Sequence, residues 1–167
     1  MKKFVLFFII IFIQTNFAQL KIGYVDSDAI MSQLPDAQDA QKKLDQLVQE
    51  WREELSKLEK EWKEKYDDYE KRKLVMSNQK RVLVENELSQ MEQDIENFRQ
   101  NKFGVNGELF QQQEELMKPI QNRVFNAIEM VAKEEELDFI FDRSGDIVFL
   151  FAKEEYDLTN LVLEKLK

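Results

Sequence analysis

Residues 44–69, with the sequence LDQLVQEWREELSKLEKEWKEKYDDY, decide the fold of this 167-residue chain. Their apolar side chains recur at steps of three and four residues, which places them in one stripe along a helix. Leu44, Leu55 and Tyr66 mark a repeat of 11 residues. Such a repeat averages about 3.67 residues per turn and keeps the stripe nearly straight. Most other positions are charged, and a single apolar stripe on a charged helix predicts a partner helix.

A second apolar stripe lies downstream of residues 73–79, KLVMSNQ, where the first pattern breaks. It follows a plain heptad through Val84, Leu88, Met91, Ile95 and Phe98. We therefore predict a long antiparallel helical hairpin, a coiled-coil tentacle over residues 36–119 with its tip near residues 73–80. A turn near Ser77-Asn78 brings together residues whose numbers sum to about 155, and each arm is on the order of 60 Å long.

The returning arm contains three helix breakers, Gly104, Gly107 and Pro119. The two glycines are candidates for a hinge that lets the hairpin adjust its shape. The alternative is steric relief, because the register places them opposite Trp51 and Leu47. Pro119 is a second candidate pivot, or a residue that only kinks the helix or ends a segment.

Near both ends of the chain, the apolar residues recur at the two-residue period of a β-strand. Residues 20–25 alternate as a strand, and Pro35 suits the first turn of the long helix that follows a short one. Residues 137–141 alternate, residues 142–146 form a turn, and residues 147–152 are apolar on both faces. This pattern predicts a β-hairpin whose second strand is buried on both sides or at an interface. Strands from the two ends must pair to form a small α+β head, residues 19–35 and 120–167, and heads of this size are expected to associate.

The composition excludes several classes of function. Without histidine or cysteine the chain has no triad built on histidine, no zinc finger and no disulfide. A formal charge of −9 argues against nucleic-acid binding. Asp142 and Asp146, on either side of Gly145, offer too few ligands for calcium, and acidic pairs such as Asp67-Asp68 are expected to be solvated. We predict no enzyme activity, no metal and no cofactor.

The first 18 residues have the order of a secretory signal. Lys2 and Lys3 precede ten apolar residues, Phe4 to Ile13, and a polar stretch leads to Ala18, the expected last residue before cleavage. A membrane anchor is the alternative, but the apolar run is short for a span. Removal of this segment takes the formal charge from −9 to −11. The sequence therefore predicts an exported, periplasmic protein.

The predicted tip is basic, whereas the arms are acidic. Residues 36–70 hold 12 acidic and seven basic side chains, whereas the 11 residues from Lys71 to Arg81 hold five basic and no acidic ones. The candidate contact residues are Lys71, Arg72, Lys73, Leu74, Val75, Met76, Lys80 and Arg81. The cations suit an anionic membrane surface or a polypeptide partner, or they only keep the loop soluble. The apolar residues, with Val82 and Leu83, suit an unfolded chain, or they only close the end of the hairpin.

The order of these segments resembles the Skp/OmpH family of periplasmic chaperones. The matching stretches are Ile22-Gly23-Tyr24-Val25-Asp26, Ile30, Pro35, Pro119-Ile120, Ala127-Ile128, Val131-Ala132-Lys133, Asp138-Phe139-Ile140-Phe141-Asp142 and Tyr156-Asp157-Leu158-Thr159. The resemblance implies a homotrimer whose heads share a β-barrel and whose three tentacles surround a cavity. It also implies a holdase that keeps unfolded outer-membrane β-barrel proteins in that cavity without ATP, and the chain has no phosphate-binding loop.

One property departs from the best-known members of that family, whose tentacles are strongly basic. The acidic charge of this chain argues against electrostatic capture of acidic partners or lipopolysaccharide. A function of another class is also consistent with the pattern, namely a structural coiled-coil spacer or scaffold of the cell envelope. A spacer needs a fully sealed apolar stripe and a fixed partner, whereas a holdase needs accessible apolar surface.

Overall fold

The computed structural model describes residues 20–145 and 149–167. The elements in chain order are β1 (Ile22–Val25), α1 (Ser27–Gln33), α2 (Pro35–Arg72), α3 (Asn78–Phe103), α4 (Glu108–Glu134), β2 (Phe139–Asp142), a 3-10 turn (Glu154–Tyr156) and α5 (Thr159–Lys165). This described part is mostly helical, with one small sheet and long helices, as the sequence predicts. The expected signal segment, its cleavage site after Ala18, and residues 146–148 lie outside the described residues.

The helix α2 forms the outgoing arm of the hairpin. It is continuous for 38 residues, so at 1.5 Å per residue it is about 57 Å long. Pro35 occupies its first turn, where a missing N–H costs no helical hydrogen bond. After Arg72 the chain turns, and the hydroxyl of Ser77 caps α3 by accepting a hydrogen bond from the Lys80 amide. Within the described residues no helix is long and apolar enough to cross a membrane.

Three contacts show how α2 pairs with the returning arm. Lys65 Nζ lies 2.5 Å from the Glu87 carboxylate, Arg99 pairs with Glu59, and the rings of Trp51 and Phe103 meet edge-on with centres 5.9 Å apart. The residue numbers of each pair sum to close to 155, so the predicted antiparallel register is confirmed. The seam between the arms buries Leu44, Trp51, Val84, Leu88 and Ile95.

The returning arm consists of two helices, because α3 ends at Phe103 and α4 begins at Glu108. The loop between them contains both Gly104 and Gly107. Pro119, in contrast, lies inside α4, and the helix continues through it to Glu134. The expectation that Pro119 ends a segment is therefore wrong. Its side chain is exposed, so water can solvate the carbonyl group that loses its helical donor.

The head and the base of the hairpin share one core. β1 and β2 pair in parallel, with Ile22 opposite Phe139, so the predicted pairing of strands from the two ends is confirmed. The buried side chains come from β1, α1, α5 and the adjoining turns of α2 and α4. They are Val25, Ile30, Leu34, Ala37, Ala40, Ile120, Val124, Ala127, Val131, Leu158 and Val162.

One detail of the predicted head is wrong. Residues 149–152 form no strand and no hairpin with β2, and their large side chains are exposed; residues 147 and 148 lie outside the described part of the chain. A segment that is apolar on both faces needs cover on both sides, and a single small head supplies none. In β1, Tyr24 and Val25 are both buried, whereas Ile22 is exposed, so the strand does not divide cleanly into a buried and an exposed face.

Candidate functional site

The tip, defined here as residues 71–83, brings all eight candidate contact residues to the far end of the hairpin. Three of its five cations pair with carboxylates on the arms. Arg72 lies 3.2 Å from Asp68, Lys73 lies 2.8 Å from Glu70, and Arg81 lies 3.9 Å from Glu85. The hydrogen bond with Glu70 raises the pKa of Lys73 above its ordinary value. Each carboxylate belongs to the arm side of the tip, so the outer end stays cationic.

The apolar residues of the tip are mostly exposed. Leu74 is 92% and Val75 is 85% exposed, and Val82 and Leu83 are about half exposed. Leu74 and Val75 therefore do not cover the end of the hairpin, whereas Val82 and Leu83 are half covered. Val84 is buried and Met76 is partly buried, so these two residues face the hairpin instead.

We call the loop Gly104–Gly107 the elbow. A Cβ atom at Gly104 would lie 2.3 Å from the carbonyl oxygen of Gln100, and one at Gly107 would lie 2.8 Å from that of Asn101. Both distances are too short for a side chain. The nearest steric neighbours of the two glycines therefore lie in the backbone at the end of α3 and in the elbow itself.

Lys102 connects the two sides of the elbow. Its ammonium group lies 2.5 Å from a carboxylate oxygen of Glu108, at the start of α4. The same group lies 4.9 Å from the centre of the Trp51 ring on α2. One side chain thus contacts both halves of the returning arm and the continuous outgoing arm. These contacts hold the elbow against α2 in this conformation.

The head presents a large apolar surface at the other end of the molecule. Leu150 is 95% and Phe151 is 82% exposed, and Leu20, Ile22 and Phe139 add further exposed apolar side chains along the sheet. Within the described residues β2 pairs only with β1, so the other edge of β2 has no neighbouring strand. Exposed apolar area of this extent commonly marks an interaction surface.

Comparison with known proteins identifies the family. Residues 21–166 match the family described as outer membrane protein (OmpH-like). The chain belongs to the OmpH-like family. A crystal structure of a candidate outer membrane chaperone (OmpH-like) from Caulobacter crescentus shares its fold, with a TM-score of 0.70 and 12% identity over 89% of this chain and 84% of that one. No curated protein matches the chain. The family resemblance stated from the sequence is thus confirmed.

In this OmpH-like chain, a polar cluster closes the head beside the sheet. Asp142 accepts hydrogen bonds from the hydroxyl and amide of Ser27 and from those of Ser144. Partial burial raises the pKa of Asp142, but these hydrogen bonds outweigh it, and the pKa lies below its ordinary value. Among the described residues no group of three or more carboxylates could hold a metal ion. Asp142 therefore acts as an acceptor that joins α1 to the end of β2.

Two of these features were missed from the sequence. No contact was predicted for Lys102, although its position two residues before Gly104 and in register with Trp51 indicates one. Ser27 and Ser144 gave no signal, because they are far apart in the chain and only the parallel pairing of β1 with β2 brings them together.

Proposed function

We propose that this chain is an ATP-independent holdase chaperone of the periplasm, which binds unfolded outer-membrane β-barrel proteins and prevents their aggregation. Membership of the OmpH-like family supports a chaperone role. The observation that carries the proposal is the separation of two features. An exposed apolar surface for association lies on the head. The helical hairpin, which we call the prong, extends about 57 Å away from it.

Association of three heads gives the exposed surface a partner. A β-barrel shared by three copies would cover Leu150 and Phe151 and extend the sheet beyond the open edge of β2. The three prongs would then stand side by side around a cavity. Clients would be held there by many weak contacts to exposed side chains along the arms, such as Tyr66 and Phe110. No catalytic residue is needed for this mode of action.

Two accessory roles belong to the same proposal. The elbow and the region of Pro119 would let each prong adjust to clients of different size. The basic tip would make peripheral contact with an anionic membrane surface. Because the arms are acidic, clients would be bound mainly through apolar and polar contacts and not through general charge attraction.

Mass measurement of the mature protein, alone and with an unfolded outer-membrane β-barrel protein, tests the proposal. We expect a trimer alone, a soluble stoichiometric complex with the client, and suppression of aggregation without nucleotide. A protein that stays monomeric and leaves client aggregation unchanged would refute both trimer formation and holdase activity. A matched test with an unfolded soluble enzyme shows whether the protection is specific to β-barrel clients.

The buried positions along the seam between the arms favour a second candidate, a structural spacer of the cell envelope. Trp51, Leu88 and Ile95 are all buried in that seam, as a rigid spacer requires. A spacer would bind one fixed partner and would not protect several different unfolded proteins. The aggregation test, repeated with several unfolded β-barrel proteins, therefore separates the two functions, because only a holdase protects more than one client.

A further inference from the structure

The tip combines exposed apolar side chains with uncompensated positive charge. Leu74 and Val75 are 92% and 85% exposed, and they are adjacent at the outermost turn of the hairpin. From Lys71 to Val84 the chain carries five cations and no carboxylate. In the part of the chain that the structure describes, Lys71 and Lys80 form no ion pair, so both remain available to an external anion.

The tip loop is held in shape by its own backbone. The amide of Lys73 donates to the carbonyl of Tyr69 at 2.8 Å, and the amide of Val75 donates to that of Arg72 at 3.0 Å. Ser77 then caps α3. Leu74 and Val75 are thus presented at the end of a stiff helical pair and need little further ordering to bind.

We propose that the tip is a membrane wedge: Leu74 and Val75 enter the boundary between headgroups and acyl chains, while Lys71 and Lys80 contact anionic lipid phosphates. The proposal extends the peripheral contact proposed above, but it depends on neither client binding nor trimer formation. Apolar side chains flanked by cations are the pattern of interfacial membrane segments, in which hydrophobic insertion and electrostatic attraction add.

The shape of the tip favours a bilayer over an unfolded polypeptide as its occupant. A protruding loop cannot enclose an extended chain, whereas it can insert into a flat, deformable surface. The acidic arms strengthen this orientation, because an anionic membrane repels them and attracts only the end of the prong. The membrane therefore meets the prong end-on.

A single labelled position tests the insertion directly. The chain has no cysteine, so Leu74→Cys creates a unique site for a polarity-sensitive dye in the mature full-length protein. Val105→Cys is the matched control, since Val105 is 90% exposed but lies in the elbow, away from the tip. The probe is a vesicle of phosphatidylcholine with about one third phosphatidylglycerol. We expect the dye at position 74 to brighten and shift to the blue, and the dye at position 105 to stay unchanged.

Unlabelled variants separate the two parts of the wedge. Leu74→Ser with Val75→Ser should weaken co-sedimentation with these vesicles at least about tenfold. Each of Lys71→Ser and Lys80→Ser should weaken it about fivefold. Vesicles of phosphatidylcholine alone should bind far less.

Three results would overturn the wedge. They are no binding to the anionic vesicles, binding without a dye response at position 74, and a dye response to an unfolded outer-membrane protein but not to vesicles. Aggregation suppression by the Leu74→Ser, Val75→Ser variant should match that of the wild type. A wild type that binds vesicles but fails to protect clients would refute the holdase proposal and leave the wedge intact.

Discussion

The ammonium nitrogen of Lys102 lies 4.9 Å from the centre of the Trp51 ring, so a charge on the returning arm rests against an aromatic face of the outgoing arm. The same ammonium group also pairs with Glu108 across the elbow. These two contacts give the elbow a defined resting position, although the loop itself has no helical hydrogen-bond ladder.

Replacement of Lys102 should loosen the elbow. Lys102→Met keeps much of the apolar stem but removes the charge, so the free energy of unfolding should fall by about 1 kcal/mol. Urea unfolding at equal protein concentration measures this change. Lys57→Met is the matched control, because Lys57 makes only an exposed pair with Glu61 at 4.0 Å on the same prong. Equal losses for the two variants would contradict a special role for Lys102.

A side chain at Gly104 should strain the end of α3. Its Cβ atom would meet the carbonyl oxygen of Gln100 at 2.3 Å, so Gly104→Ala should lower the free energy of unfolding by about 1–3 kcal/mol. Gly145→Ala should change it by less than about 0.5 kcal/mol, because among the described residues the nearest atom to that Cβ is 3.9 Å away. Thermal unfolding of both variants checks the prediction. A tolerated alanine at position 104 would show that the elbow can relax.

Asp142 should make the stability of the head depend on pH. Its folded-state pKa lies below the ordinary value of 3.8. Its contribution is therefore full above pH 3.8 and is lost as the pH falls through the lower, folded-state value. Asp142→Asn should lower the free energy of unfolding by about 1 kcal/mol at pH 7.

The difference between wild type and Asp142→Asn should shrink towards zero below pH 3.8. Urea unfolding across pH 7 to pH 3 measures it, with Asp67→Asn on the exposed arm as control. A difference that does not change with pH would mean that the shape of the Asp142 side chain matters and its charge does not.

Association should depend on the apolar residues that follow β2. Leu150→Ser with Phe151→Ser should raise the dissociation constant of the oligomer at least about tenfold, because both side chains lose their apolar contact area. Leu74→Ser with Val75→Ser is the matched control, since it removes an equally exposed apolar pair at the opposite end. Sedimentation velocity gives both values. An oligomer as stable in the head variant as in the tip variant would place the interface elsewhere.

The helical part of the fold was predictable because its information is periodic. The steps of three and four residues from Leu44 onward required a long helix, and the second stripe fixed the turn and the antiparallel register. The structure of residues 149–152 was not predictable in the same way, because an apolar run does not reveal whether its cover comes from the same chain or from another. The elbow contacts could not be predicted either, since periodicity cannot show that the Lys102 side chain contacts Trp51.

The unbroken outgoing helix limits how far the elbow can move the tip. If the loop Gly104–Gly107 opens as proposed, α2 still passes it without a break, so the prong would bend only as far as a continuous helix curves. Helices curve with radii of about 60–100 Å, and the distance from Trp51 to Arg72 along the axis is about 32 Å. Bending of this kind would displace the tip sideways by about 5–8 Å. In the proposed holdase, each prong would therefore adjust to the girth of the client that it surrounds, but it would not swing away from that client.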